Sequence, residues 1–222
     1  MTPKLIIFDC DGVLVDSELI SNTAISQNLH RHGLTLTPRA CMAHFTGKTM
    51  AMIGEVARDM GADLPRGWVD EIYGQIYQAL AQKVQPIPHI FDVINWVKGA
   101  GLPLCVASNG SLEQMRISLG RTQLLPHFQQ ALYSAHSLGM PKPRPDLFLH
   151  AARQFNVDPS DCLVIEDSPS GALAAQRAGI PCFGFIRETP AERMRPLCQR
   201  LFTSMADLPN LIETTPSELE SQ

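Results

Sequence analysis

The sequence predicts an α/β protein with a parallel sheet core and an inserted all-helical cap. Two observations support this fold class. Five short apolar runs, each ended by polar residues or glycine, are typical of buried parallel strands: KLIIF, LPLCVAS, QALYS, CLVIE and IPCFGF. Helical stretches alternate with the later runs, and this alternation favours a sheet with right-handed crossovers.

Three stretches in the second half of the chain have apolar residues at helical spacing. They cover residues 90–97, 147–155 and 169–178. Gly179 and Pro181 follow the third stretch and are typical helix stop signals. We therefore expect helices between the later strands.

Residues 17–85 break the alternation of strands and helices. Within them, one apolar series recurs every four residues from Trp68 to Val84, and the segment has no strand signal. We predict that residues 1–16 and 86–222 form the α/β core and that residues 17–85 form the helical cap.

Composition and charge exclude several classes of function. The net charge of −4 gives no basic surface for nucleic acid, and no segment approaches the roughly 20 apolar residues of a membrane span. The six cysteines lack CxxC spacing, which indicates free thiols in a reducing cytoplasm. We expect a cytoplasmic monomer or weak dimer.

Acidic residues follow two of the predicted strands. Asp9 and Asp11 come after the first strand, and Glu166 and Asp167 end the fourth. Ligands of open α/β sheets bind beyond the carboxyl ends of the strands, so these acids should share one crevice. Two carboxylates about 4 Å apart repel by roughly 4 kcal/mol at an effective dielectric near 20. A hard cation such as Mg²⁺ would relieve this repulsion, and the alternative is a solvated acidic edge without metal.

Other polar residues suit a phosphate group. Ser108, Asn109 and Gly110 end the second strand just before a helix, where hydroxyl, amide and backbone N–H groups can hold phosphate oxygens. Lys142 lies between two prolines that restrict its position. An ordinary helix cap and a solvated lysine are the alternatives.

The sequence does not match the spacing of two other ligand-binding motifs. A calcium loop beginning at Asp9 would need an acidic residue where Ile20 stands. A phosphate-binding loop built on TGKT at 46–49 would need glycine in place of Met42 and a preceding strand.

Four motifs in order along the chain resemble those of the haloacid dehalogenase (HAD)-like hydrolase superfamily. The motifs are Asp9-Cys10-Asp11-Gly12-Val13, Ser108-Asn109-Gly110, Lys142-Pro143 and Glu166-Asp167-Ser168. The resemblance spans nearly the whole chain and implies a Rossmann-like core. The helical insert resembles the cap of the phosphoglucomutase-like and sugar-phosphatase branch, and ASNGSLEQMRISLG is similar to the corresponding stretch of bacterial 6-phosphogluconate phosphatases.

The resemblance implies a role for each acid. Asp9 would be the nucleophile that takes up the phosphoryl group. Asp11 would protonate the leaving alcohol and then activate water. Asp9, the main-chain carbonyl of Asp11, and Asp167 would hold Mg²⁺, and Glu166 would ligate it through water.

The resemblance also implies a substrate site. Ser108, Asn109 and Gly110 would bind the transferring phosphate of a small phosphorylated metabolite, and Lys142 would neutralise charge. In the cap, the HFTGKT loop would contact the far end of the substrate. Gly47 would allow a close turn there, and Lys48 would bind an anionic or hydroxylated group, unless it is a solvated lysine.

Phosphoglucomutase-type phosphotransfer is the main alternative to hydrolysis. The resembling β-phosphoglucomutases carry a histidine in the first cap helix, where ungapped alignment places Ser21. Asp11 argues against a dehalogenase in the narrow sense. A phosphonate-cleaving enzyme would need a Schiff-base lysine, but Lys48 and Lys83 of the cap lie in no pattern that identifies one. A non-enzymatic binding module would be favoured by a missing motif acid or lysine, and all are present.

Overall fold

The computed structural model describes residues 3–45, 48–128 and 131–214. The chain divides into two compact units. Residues 1–15 and 86–222 form the unit that contains the sheet, and residues 16–85 form a helical unit. Within the described part of the chain, no helix is both long enough and apolar enough to cross a membrane.

Six strands in the described residues form one sheet of the order β3-β2-β1-β4-β5-β6, and all neighbouring strands are parallel. They are β1 Leu5–Phe8, β2 Leu104–Ser108, β3 Leu132–Ser134, β4 Cys162–Glu166, β5 Cys182–Phe185 and β6 Arg200–Phe202. The first five correspond to the five apolar runs, so the predicted α/β fold with a parallel sheet is confirmed. The sequence did not predict β6, because Arg200 is exposed and only Phe202 of its three residues is buried.

The register of the central strands aligns their carboxyl ends. Phe8 at the end of β1 pairs with Val106 of β2 on one side and with Ile165 of β4 on the other. The next residues, Asp9 and Glu166, therefore lie at nearly the same level at the carboxyl edge of the sheet. The order of the strands reverses at β1, and such a switch point is where open α/β sheets bind ligands.

Helices cover the sheet and connect its strands. In the sheet unit they are α5 Ile90–Gly99, α6 Leu112–Arg121, α7 Leu125–Phe128, α8 Ala135–Leu138, α9 Asp146–Gln154, α10 Pro169–Arg177, α11 Ala191–Met194 and α12 Leu208–Thr214. Helix α9 packs on β1, β2 and β3, and α10 packs on β4 and β5. The face of α9 that contains Leu147, Phe148 and Ala151 is fully buried in the core, as its helical spacing predicts.

The helical unit contains α1 Glu18–Arg31, α2 Pro38–Phe45, α3 Met50–Asp59 and α4 Trp68–Lys83. The apolar residues that recur at every fourth position from Trp68 to Val84 are buried, which confirms the predicted helix. Asn28 on α1 is also buried, and its side-chain oxygen accepts a hydrogen bond from the Trp68 indole at 2.6 Å. This hydrogen bond links α1 and α4 inside the unit.

The first and last residues of the helical segment are neighbours in the structure. The backbone N–H of Asp16 donates to the carbonyl of Gln85 at 2.9 Å. The preceding residue, Val15, forms an antiparallel bridge with Pro86. The two ends of the helical segment are therefore joined by backbone hydrogen bonding.

Candidate active site

Three carboxylates meet at the carboxyl ends of β1 and β4. Asp9, Glu166 and Asp167 each offer an oxygen, and these oxygens all lie within 4.8 Å of one another. The Asp9 backbone N–H donates to the carbonyl of Ile165 at 3.0 Å, which extends the parallel pairing of β1 and β4 by one residue. The strands therefore fix where these acids lie.

Lys142 places a cation between two of these acids. Its Nζ is 2.6 Å from Asp9 Oδ1 and 2.6 Å from Glu166 Oε1. The Lys142 side chain is only 3% exposed. Its ammonium also lies over the ring of Phe148, 4.9 Å from the centroid. The ion pairs are therefore largely screened from water, and charge-assisted hydrogen bonds of this kind are strong.

Glu166 is fully buried, and both its oxygens accept hydrogen bonds within the protein. Oε1 accepts from Lys142. Oε2 accepts from the backbone N–H groups of Asp167 and Ser168, at 3.0 and 2.9 Å, and from the Ser168 hydroxyl at 2.9 Å. Ser168 also caps α10, because its hydroxyl accepts from the Gly171 N–H. Glu166 thus connects Lys142 to the start of α10.

Two glycines allow the carboxylates to come this close. Gly12 has φ +79°, which favours glycine, and a Cβ at this position would overlap the Asp167 carboxylate. A Cβ on Gly171 would overlap the Glu166 carboxylate. The backbone therefore approaches both acids more closely than any other residue would permit.

The site holds more negative than positive charge. Burial, reinforced by the charges of Glu166 and Asp11, raises the pKa of Asp9 to about 7, although Lys142 opposes this shift. Burial alone lowers the pKa of Lys142, but Asp9 and Glu166 outweigh it, so that the pKa lies above its usual value. One lysine therefore does not compensate for the nearby carboxylates.

The charge balance and the donor set fit a hard divalent cation. Asp9, Glu166 and Asp167 offer carboxylate oxygens, which are the ligands Mg²⁺ prefers. A cation here would offset the charge that Lys142 leaves uncompensated.

The end of β2 forms an ordered turn beside Lys142. Ser108 is buried and its hydroxyl accepts from the Gly110 N–H at 3.0 Å. The side-chain oxygen of Asn109 accepts from the backbone N–H of Lys142 at 2.9 Å. The sequence-predicted residues of this turn and the lysine loop are therefore in direct contact.

Two further side chains in this region were not predicted from the sequence. The Ser134 hydroxyl donates to the carbonyl of Gly110 at 2.6 Å. Ser134 ends β3 as Ser108 ends β2, and the two are register partners, so the rule applied to the other strand ends could have identified it. Gln114 donates to Asp11 Oδ2 at 3.0 Å. Glutamine three residues after a capping serine is ordinary at a helix start, so the sequence gives no signal for this contact.

Of the remaining predicted residues, Asp11 belongs to the sheet unit and Lys48 to the helical unit. The Asp11 side chain accepts a hydrogen bond from Gln114 and is not one of the three grouped carboxylates, and the metal role predicted for Asp11 concerns its main-chain carbonyl. Within the helical unit, Lys48 is exposed. Gly47 lies outside the described residues.

Comparison with known proteins identifies the family. The family model of haloacid dehalogenase-like hydrolases matches residues 3–179. The chain is 30% identical to the 6-phosphogluconate phosphatase of Escherichia coli (strain K12) over 217 residues, which cover 94% of each protein. The chain therefore belongs to the HAD-like hydrolases, and it is a phosphoric monoester hydrolase of this family, as the sequence predicted.

Solved structures agree with this assignment. A conserved haloacid dehalogenase-like protein of unknown function from Agrobacterium tumefaciens is 33% identical, with a TM-score of 0.81 over 95% of this chain and 97% of that chain. A HAD family hydrolase from Deinococcus radiodurans, with bound phosphate and sodium, is 28% identical, with a TM-score of 0.80 over 96% of each chain.

Proposed function

We propose that this protein is a Mg²⁺-dependent phosphatase that hydrolyses small phosphate monoesters through an aspartyl-phosphate on Asp9. The contact of Asp9 with Lys142 at 2.6 Å, in a cluster with buried Glu166 and half-buried Asp167, carries this proposal. This arrangement fixes Asp9 as a nucleophile beside Lys142, whose positive charge would compensate that of a phosphate. Phosphoryl transfer depends mainly on such positioning and charge stabilisation.

In the first step Asp9 attacks the phosphorus atom. Lys142 holds Oδ1 of Asp9, and Oδ2 forms the new bond while the bond from phosphorus to the ester oxygen breaks. Asp11 gives its proton to the departing alcohol oxygen. The carboxylate of Asp9 is covalently phosphorylated at the end of this step.

In the second step water attacks the same phosphorus. Asp11 takes up a proton from the water, the bond between Asp9 and phosphorus breaks, and inorganic phosphate leaves. Asp9 and Asp11 return to their starting states, so the cycle needs no further reactant.

Asp9, the main-chain carbonyl of Asp11, and Asp167 would hold Mg²⁺, with Glu166 acting through water. The bound ion would supply positive charge to the phosphate and to the carboxylates. The two hydrogen-bonded oxygens of Glu166 support an indirect role for this residue.

The end of β2 would bind the transferring phosphate. Ser108 and Gly110 order the turn, and Asn109 is joined to the lysine loop. The phosphate oxygens would be held by these residues, and Lys142 would neutralise their charge.

Sugar and sugar-acid phosphates are the substrate class that we propose. The similarity to a 6-phosphogluconate phosphatase along 94% of both chains supports it. We infer that the substrate is a small metabolite rather than nucleic acid, because the net charge of −4 gives no basic surface.

Phosphate release from a panel of sugar and sugar-acid phosphates tests this proposal. The wild-type protein should release phosphate in Mg²⁺, and Asp9→Asn should remove this activity while the circular dichroism spectrum is unchanged. Asp92→Asn, at an exposed position of α5, is the matched control. Asp9→Asn activity within about tenfold of wild type would contradict the role of Asp9 as nucleophile.

A further inference from the structure

Two cysteines form a thiol pair at the amino ends of β5 and β6. Cys182 begins β5, and Cys198 lies in the loop just before β6. Their sulfur atoms are 3.8 Å apart. The Gln199 N–H donates to the Cys182 carbonyl at 2.8 Å, so backbone pairing fixes the two residues beside each other. Both lie at the amino ends of the strands, whereas the candidate active site lies at the carboxyl ends.

A cavity of about 400 Å³ gives access to this pair. Both cysteines line it, together with Ser160, Gln176 and Gln199. Cys182 is buried and Cys198 is half-buried, so a small polar molecule meets Cys198 first. The contact with Cys182 lowers the pKa of Cys198, which favours the reactive thiolate.

We propose that Cys182 and Cys198 are an oxidation site for hydrogen peroxide that closes to an intramolecular disulfide. The Cys198 thiolate attacks one peroxide oxygen, the O–O bond breaks, and a sulfenic acid and hydroxide form. The Cys182 sulfur then attacks the Cys198 sulfur. The S–O bond breaks, the S–S bond forms, and the leaving hydroxide takes the Cys182 proton as water. A disulfide bond of about 2.0 Å requires the sulfurs to approach, and the loop position of Cys198 permits this movement.

Peroxide titration followed by tryptic mapping tests the site. Cleavage after Arg177, Arg187, Arg193 and Arg200 puts Cys182 on peptide 178–187 and Cys198 on peptide 194–200, because Pro196 blocks cleavage after Arg195. The wild type should lose two free thiols and two hydrogens of mass, and the two peptides should be linked until reduced.

Two controls make the result specific. Cys198→Ser should keep all its remaining thiols at the same peroxide dose. The fully buried Cys105 should stay unmodified in the wild type. Unlinked peptides after oxidation, or equal thiol loss in wild type and Cys198→Ser, would overturn the proposal.

A separate contact involves Gln114 and the candidate acid Asp11. The Gln114 side-chain amide donates to Asp11 Oδ2 at 3.0 Å across 103 residues of sequence. The start of α6 is itself fixed, because the Ser111 hydroxyl accepts from the Gln114 N–H at 3.0 Å. The amide lies close to Gly110, where an added Cβ would be 3.3 Å from Gln114 Nε2.

We infer that Gln114 is a positioning residue that holds the Asp11 carboxyl for proton transfer to the leaving alcohol. This inference rests on the proposed phosphatase function. Small displacements of a catalytic group cost about 10²-fold in rate, so a donor that fixes one oxygen of Asp11 affects the step that needs its proton. Gln114 does not react itself.

The dependence on leaving group separates positioning from a general structural role. An alkyl phosphate releases a poor leaving group that needs the proton, whereas p-nitrophenyl phosphate releases a stable phenolate. Gln114→Met keeps the length of the side chain and removes the donor. It should lower kcat about 10-fold or more on an alkyl phosphate, change KM little, and lower kcat on p-nitrophenyl phosphate less than about threefold.

The adjacent exposed residue gives the control, since Glu113→Gln should leave both rates unchanged. In an Asp11→Asn background, Gln114→Met should have no further effect on the alkyl phosphate. Equal losses on both substrates, or no loss on either, would overturn the inference while wild-type hydrolysis still supports the proposed function. If the wild type hydrolyses neither phosphate, both fail.

Discussion

Replacement of Lys142 with methionine tests the electrostatics of the site most directly. The ammonium contacts Asp9 and Glu166 at 2.6 Å each, and its side chain is 3% exposed. Methionine keeps the apolar stem and leaves two carboxylates buried without their cation. Removing one partner of a buried ion pair costs about 3–5 kcal/mol. For a chain of this length, that loss corresponds to a decrease of about 6–20 °C in Tm.

The measurement is thermal unfolding at pH 8 in EDTA, followed by circular dichroism. The Tm difference should be smaller at pH 5, because a protonated carboxyl carries no buried charge and the raised pKa of Asp9 already favours that state. A carboxyl group whose pKa is raised in the folded state lowers the free energy of unfolding as the pH increases. The Tm difference should therefore be larger at pH 8 than at pH 5.

The chain provides a matched control for this experiment. Lys4 forms a pair with Asp161 at 2.7 Å, but the two side chains are 68% and 30% exposed. Lys4→Met also removes an ion pair, but water can solvate the Asp161 carboxylate that remains. This substitution should therefore change Tm little. Adding Glu166→Gln to Lys142→Met should restore part of the loss. Equal Tm values for Lys142→Met and Lys4→Met at pH 8 would refute the reasoning.

Three further predictions concern activity. EDTA should abolish hydrolysis, Mg²⁺ should restore it and Ca²⁺ should inhibit, because Ca²⁺ accepts looser geometry; hydrolysis that survives chelation and dialysis would contradict the metal site. Lys48→Ala should raise KM strongly for the best substrate and little for a small aryl phosphate, with exposed Lys83→Ala as control; equal KM changes for both substrates would indicate a solvated Lys48. Because Ser21 cannot act as an imidazole does, phosphorus NMR of a hexose 1-phosphate with its bisphosphate should show mainly inorganic phosphate. Accumulating 6-phosphate without inorganic phosphate would instead establish a mutase.

The sequence predicted the four inner strands β1, β2, β4 and β5 well because all their residues are buried. Such strands are continuous apolar runs, and their ends are marked by polar residues. Strand β6 lacks this pattern, since its first residue, Arg200, is exposed. The other edge strand, β3, is also partly exposed, but its run QALYS contains enough apolar residues to be recognised.

The sequence predicted which acidic residues lie at the strand ends, but not the direction of every side chain. Parallel strands bring Asp9 together with Glu166 and Asp167, as topology requires. The direction of the Asp11 side chain depends on the turn at Gly12 and on Gln114, which is 103 residues away in sequence. Contacts of this kind arise from packing between distant residues and leave no local sequence pattern.

The joined ends of the helical segment have a consequence for how this protein can be modified. Because Asp16 and Gln85 are held by a backbone hydrogen bond, a replacement of any length needs only two adjacent attachment points. Loop-closure entropy grows slowly with length, so exchanging the segment should disturb the sheet unit little. The residues proposed for phosphoryl transfer all belong to 1–15 and 86–222. Segments from relatives could therefore be grafted at this junction as interchangeable modules while the chemical groups stay in place.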